Sequence, residues 1–150
     1  MTFSFLDLVV AVAAGLALMS LGGGFYEFLV VDPFWPKRPD LIQPERGGIS
    51  RKRFWIPAHT TFELFLIAAL VMAWRQPSLR LWLLVALASH ATMRIWSAFD
   101  FIPKALAFEK AASVDETAAM GWSRRSKLRF PLDLVTCVSL MLALRAVWHG

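Results

Sequence analysis

Apolar residues gather along this chain into four long runs separated by polar connections. The runs cover roughly residues 5–31, 54–74, 79–99 and 128–147. Each reaches the roughly 20 residues that an α-helix needs to cross the hydrocarbon of a bilayer. Barrel strands would alternate and be about half as long, so the pattern predicts helices. The expected fold is all-α: one domain over 1–150, an integral membrane antiparallel four-helix bundle. Pro57 falls in the expected first turn of the second helix, where a missing N–H costs little.

The two long connections, 32–53 and 100–127, differ in character. The first carries Pro33, Pro36, Pro39, Pro44 and Gly47-Gly48, which predicts irregular chain packed over the mouth of the bundle. In the second, Phe101, Ile102, Ala105, Leu106 and Phe108 recur at helical spacing and predict a helix lying at the membrane interface. Ser113-Val-Asp-Glu116 has the form of a capping box that opens another short helix.

Composition agrees with membrane burial. The chain of 150 residues is 57% hydrophobic and only 18% charged, with a mean hydropathy of +0.54; soluble domains carry about 25% charged residues. Disordered, collagenous and repeat architectures are excluded, and Cys137, the single cysteine, has no partner for an internal disulfide. A net charge of +5 invites a nucleic-acid reading. The basic residues instead cluster beside the apolar runs, where they set topology. Lys37, Arg38, Arg46, Arg51, Lys52 and Arg53 lie in the first long connection, and Lys104, Lys110, Arg124, Arg125, Lys127 and Arg129 lie in or beside the second. Only Arg75, Arg80 and Arg145 fall at the opposite ends. The asymmetry predicts cytoplasmic connections at 32–53 and 100–127, with both termini outside. The first run lacks a basic leader and is too long for a signal-peptide core. Trp55 and Trp74 stand about 28 Å apart along a helix, a spacing that suits anchors in the two interfacial belts.

Six ionisable residues inside the runs share one depth. Glu27, His59, Glu63, His90, Arg94 and Asp133 all fall about 6–14 Å from the cytoplasmic ends of their helices. Ser20, Gly23, Gly24 and Glu27 follow one helical face, and so do Arg129, Asp133 and Thr136. His59 and Glu63 are an i, i+4 pair, as are His90 and Arg94. Intramembrane charges are costly and face the bundle interior, so one polar layer is expected. Three accounts of it stand side by side. In the first it is structural, Arg94 pairing with Glu27 or Asp133. In the second it transfers protons to or from a lipophilic ligand, with His59 and Glu63 as the working pair and Arg94 holding negative charge. In the third, Glu27, His59, Glu63 and His90 form a metal site, although the Glu-x-x-His spacing of di-iron bundles is absent. No phosphate loop, Ser-His-Asp set or nucleic-acid motif occurs, and no cofactor is evident.

Gly22-Gly-Gly-Phe-Tyr-Glu27, Phe54-Trp-Ile-Pro-Ala-His59, Phe101-Ile-Pro103 and the Trp122 to Arg129 segment carry a likeness over nearly the whole chain. The sequence resembles small four-helix membrane proteins of the domain-of-unknown-function superfamily that includes the anthrone oxygenases. The Phe-Trp-Ile-Pro-x-His block is that of an uncharacterised bacterial branch. The resemblance implies oxidation of an anthrone to a quinone by dioxygen without a cofactor. A base (here His59 with Glu63) would form the carbanion, and Arg94 would hold the developing oxyanion. The expected protein is therefore a small enzyme of the bacterial inner membrane. It would act on a lipophilic, aromatic or quinone-like molecule through His59, Glu63 and Arg94, with Glu27, His90, Asp133 and Arg129 completing the polar layer. The alternative is a non-catalytic accessory subunit or binding module of a larger membrane complex. Expected partners are the lipid bilayer, a lipophilic small molecule and another membrane protein or a second copy, with no nucleic acid.

Topology is directly testable. On a Cys137→Ser background, a cysteine placed at residue 45 should resist membrane-impermeant maleimide in intact cells and label after lysis. Labelling from outside would reverse the orientation.

Overall fold

A computed structural model describes residues 4–149. The chain is all-α. Helix α1 spans Phe5–Tyr26 and opens on a capping box: the Ser4 hydroxyl accepts from the Asp7 N–H at 3.2 Å, and the Asp7 carboxylate accepts from the Ser4 N–H at 2.9 Å. It runs directly into a π-helical turn, Glu27–Val31, closed by the Asp32 N–H donating to the Glu27 carbonyl at 2.7 Å. Helix α2 spans Lys52–Met72 and α3 spans Pro77–Trp96, with Pro77 in the first turn, where its missing N–H is harmless. A second π-helical turn, Ser97–Phe101, joins α3 to α4, Ile102–Lys110. Helix α5, Glu116–Ser126, leads through a 3₁₀ turn, Lys127–Arg129, into α6, Phe130–His149.

Helix α1 packs on α2 and α6, and α3 packs chiefly on α6. Their shared core alternates small and large side chains: Ala13, Ala17, Ala69, Ala86 and Ala143 let the backbones approach, while Phe62, Leu66, Leu83 and Leu140 fill the space between. A second core lies at one end, formed by Trp35, Ile42, Phe101, Ala119 and Trp122. It is the cap that the prolines of the first connection predict. Gln43, fully enclosed, donates to the carbonyls of Phe108 and Ala111 at 3.0 and 2.9 Å and ties the 3₁₀ turns of that connection to α4. Gly48 permits this fold-back, since a Cβ there would lie 2.1 Å from the Asp40 carbonyl oxygen.

Three helical stretches are long and apolar enough to cross a membrane: Phe5–Val31, Lys52–Met72 and Glu116–Trp148. The third expected run folds as α3 but is the least apolar of the four long helices, because Arg80, His90 and Arg94 interrupt it. Large apolar side chains also line the outside; Leu64, Val71, Leu81, Phe99 and Val138 are all exposed. Two local expectations change. Helix α2 begins at Lys52, so Pro57 lies inside it and not in its first turn, leaving the Arg53 carbonyl without its helical donor. Helix α5 forms where the capping box predicts, yet its cap is Asp115, whose carboxylate accepts from the Thr117 N–H at 2.8 Å, and not Ser113.

The cap core should be as sensitive as the bundle core. Trp35 is 0% exposed, and its ring meets Phe108 and Trp122. Trp35→Ala should cost about 3–5 kcal/mol in denaturant unfolding in mild detergent. Phe99→Ala, at a side chain 85% exposed, should cost under about 0.5 kcal/mol.

Candidate functional site

The end of α1, the start of α2, the end of α3 and the start of α6 converge beneath the cap. They line a half-open cavity of about 190 Å³. Its polar wall includes Glu27, Arg51, His59, Arg94, Arg129 and Asp133, and its apolar wall includes Phe28, Trp55, Phe101 and Phe130. Both π-helical turns border it, and such turns recur at functional sites because they re-aim side chains out of the helical register.

Glu27 opens the first π turn. Its carboxylate accepts from the Trp55 indole N–H at 2.8 Å and lies 4.0 Å from the Arg51 guanidinium. Trp55 is thereby fixed between α1 and α2. Its position depends on Gly23, because a Cβ there would lie 2.5 Å from the ring of Phe54, which packs edge-on against Trp55. The His59 ring stacks on Trp55 with centroids 5.2 Å apart and planes 19° apart. His59 is 8% exposed, and its Nδ1 is enclosed without a hydrogen-bond partner among the described residues. The ring also lies 5.6 Å from that of His90, tilted by 48°. A small void of about 10 Å³ lies between His59, His90, Ser20 and Asp133.

Glu63 answers α3. Its carboxylate accepts from Arg94 Nε at 3.0 Å and lies 3.2 Å from His90 Nε2. Arg94 reaches the cavity, whereas neither Glu63, which is partly exposed, nor the buried His90 lines it. Arg129 is anchored on three sides: it donates to Ser97 Oγ at 2.7 Å and to the Ser126 carbonyl at 3.2 Å, and it lies 4.3 Å over the Phe101 ring. Asp133, one turn along α6, feels the Arg129 charge and borders both the cavity and the small void.

The expected residues thus meet at one end of the bundle, but their partners differ from those the spacing suggests. Glu63 does not pair with His59; the shared face of α2 turns it toward α3, where it takes His90 and Arg94. Arg94 pairs with Glu63 and not with Glu27 or Asp133. Glu27, His59, Glu63 and His90 do not gather as a metal set: among the described residues no three His, Cys, Asp or Glu side chains are grouped to hold an ion. Trp55, expected as a membrane anchor, is a hydrogen-bond donor and a stacking platform. Asp32 and Arg51, both in the cavity wall, have no chemical role expected from sequence. Asp32 is buried and accepts from the Trp35 indole N–H at 3.0 Å; burial, partly offset by that bond, pushes its carboxyl up to about 6. Arg51 reads in sequence only as a topology charge, yet it is enclosed beneath the cap, its guanidinium over the rings of Trp35 and Trp122.

No protein-family model matches the chain, and neither a curated protein nor a solved structure matches it.

Proposed function

We propose that this protein is a small integral membrane enzyme that binds a lipophilic, aromatic or quinone-like molecule in the cavity beneath the cap and carries out proton-transfer chemistry on it. All four long helices cross the bilayer antiparallel to one another, both termini lie outside, and the cap faces the cytoplasm of a bacterial inner membrane. The basic asymmetry of the connections supports that orientation. The exposed apolar side chains support lipid contact. Helix α3 crosses despite its charges because His90 and Arg94 share the Glu63 carboxylate.

The observation that carries the reading is His59: an enclosed imidazole with an unpartnered ring nitrogen, stacked on Trp55 in the wall of a half-aromatic cavity. An apolar cavity of about 150 Å³ accepts benzene, so about 190 Å³ takes one ring of a larger molecule, the remainder extending beyond it. In this reading His59 accepts a proton from an activated carbon or hydroxyl of the bound ring. Arg94, aimed by Glu63, and Arg129, aimed by Ser97, hold the negative charge that develops. With an anthrone as substrate and dioxygen as oxidant, the methylene carbon loses both hydrogens and gains one oxygen atom as a carbonyl. The second oxygen atom leaves as water. This is the chemistry implied by the resemblance to anthrone oxygenases, and it requires no further cofactor.

His59→Gln should lower anthrone turnover about 10²–10⁴-fold, while anthraquinone still raises the thermal unfolding midpoint of both proteins in detergent. If no anthrone or quinone raises the wild-type midpoint, the enzyme reading fails and the accessory-subunit reading replaces it.

A further inference from the structure

Arg51 is the least explained charge in the molecule. It is only 9% exposed and belongs to the cavity wall. Its guanidinium carbon lies over two indole rings, 5.8 Å from the Trp35 centroid and 5.4 Å from that of Trp122. Cation–π contact with a ring does not use up the N–H donors of a guanidinium. The donor edge of Arg51 is only partly used. Nη2 is enclosed without any hydrogen-bond partner among the described residues, and the nearest carboxylate, Glu27, lies 4.0 Å from Nη1 while bonding Trp55. The other cavity cations are engaged: Lys52 with Glu109, Arg94 with Glu63, Arg129 with Ser97 and Ser126, and Lys127 with the ring of Phe28. A buried guanidinium with an unbonded Nη2 and only a long 4.0 Å ion pair to Glu27 is costly, and its planar donor edge matches the two oxygens of a carboxylate or phosphate.

We propose that Arg51 is a binding residue for an anionic oxygen group, a carboxylate or phosphate, carried by the molecule that occupies the cavity. This rests on the reading of the cavity as a site for a lipophilic aromatic molecule and narrows its class to an acidic one. The acidic group sits under the cap against Arg51, and the ring lies toward Trp55 and His59. Glu27 lies beside Arg51 and accepts from Trp55, on which His59 stacks, so the two subsites adjoin through it.

The test uses the full chain in phosphatidylcholine nanodiscs and compares anthraquinone-2-carboxylate, neutral anthraquinone and dodecanoate as probes. The acid should bind wild type about 10–100-fold more tightly than its neutral parent, the range of a charge-assisted hydrogen bond. Arg51→Gln should abolish that difference without weakening the neutral parent, and Arg51→Lys should retain part of it. Equal binding of acid and parent to wild type would overturn the inference while leaving the aromatic reading intact, and it is decisive even if Arg51→Gln fails to fold. If dodecanoate binds through Arg51 and neither anthraquinone binds better than dodecanoate, the anionic subsite stands and the aromatic reading falls. Loss of the acid preference when phosphatidylglycerol is added to the nanodiscs would assign the subsite to a lipid phosphate. Persistence of the preference would assign it to the ligand's own acidic substituent.

Discussion

Charge inside an apolar bundle has to be answered by another polar group, and here that requirement is met at one end only. Glu63 on α2 is the hinge of the arrangement. Its carboxylate takes both His90 and Arg94 from α3, which lets the least apolar long helix pack among the others. His90 is buried while Glu63 and Arg94 are partly exposed, so loss of Glu63 is felt most at His90, whose Nε2 loses its partner. The opposite half of the bundle has no comparable need; Val10, Ala69, Leu79, Leu83 and Ala143 fill it with hydrocarbon alone. A tightly packed apolar half and a polar half beneath a cap are therefore two consequences of one sequence pattern.

The cap converts the polar layer into a cavity. Without Trp35, Phe101 and Trp122 the ends of the four long helices would open to water, and the high dielectric would weaken every charge interaction there. With the cap in place, Arg51 and Asp32 are enclosed, and the walls acquire both donors and aromatic faces. The two π-helical turns contribute at the same level. Each inserts one extra residue into a helix turn, setting Glu27 against Trp55 and Ser97 against Arg129. Local backbone irregularity, aromatic stacking and charge pairing thus converge on His59.

Much of this was legible in the residues. Helical runs, the packed proline-rich connection and the convergence of Glu27, His59, Glu63, His90, Arg94, Arg129 and Asp133 on one end follow from period and depth. Pairing was not, for a physical reason. An i, i+4 spacing places His59 and Glu63 on one face of α2, but it does not say which neighbour that face meets, and α3 supplied better partners than its own helix. Trp55 looked like an anchor because interfacial tryptophans share its position; only the approach of α1 at Gly23 and Glu27 gives its indole an acceptor. Arg51 looked like one of a dozen orienting charges, and its burial depends on the cap folding back over it. The π turns have no sequence signature, since a single extra residue per turn changes no period.

The reading of the cavity as a ligand site rests on Trp55 and His59 forming one of its walls, and fluorescence probes that wall directly. Tryptophan emission should be measured in nanodiscs while a quinone is titrated, in wild type and in Trp55→Phe. A quinone seated against the Trp55–His59 stack should quench wild-type emission saturably, and the greater part of that saturable component should vanish in Trp55→Phe. Quenching that stays linear in quinone concentration, or that is unchanged by the substitution, would contradict occupancy of the cavity.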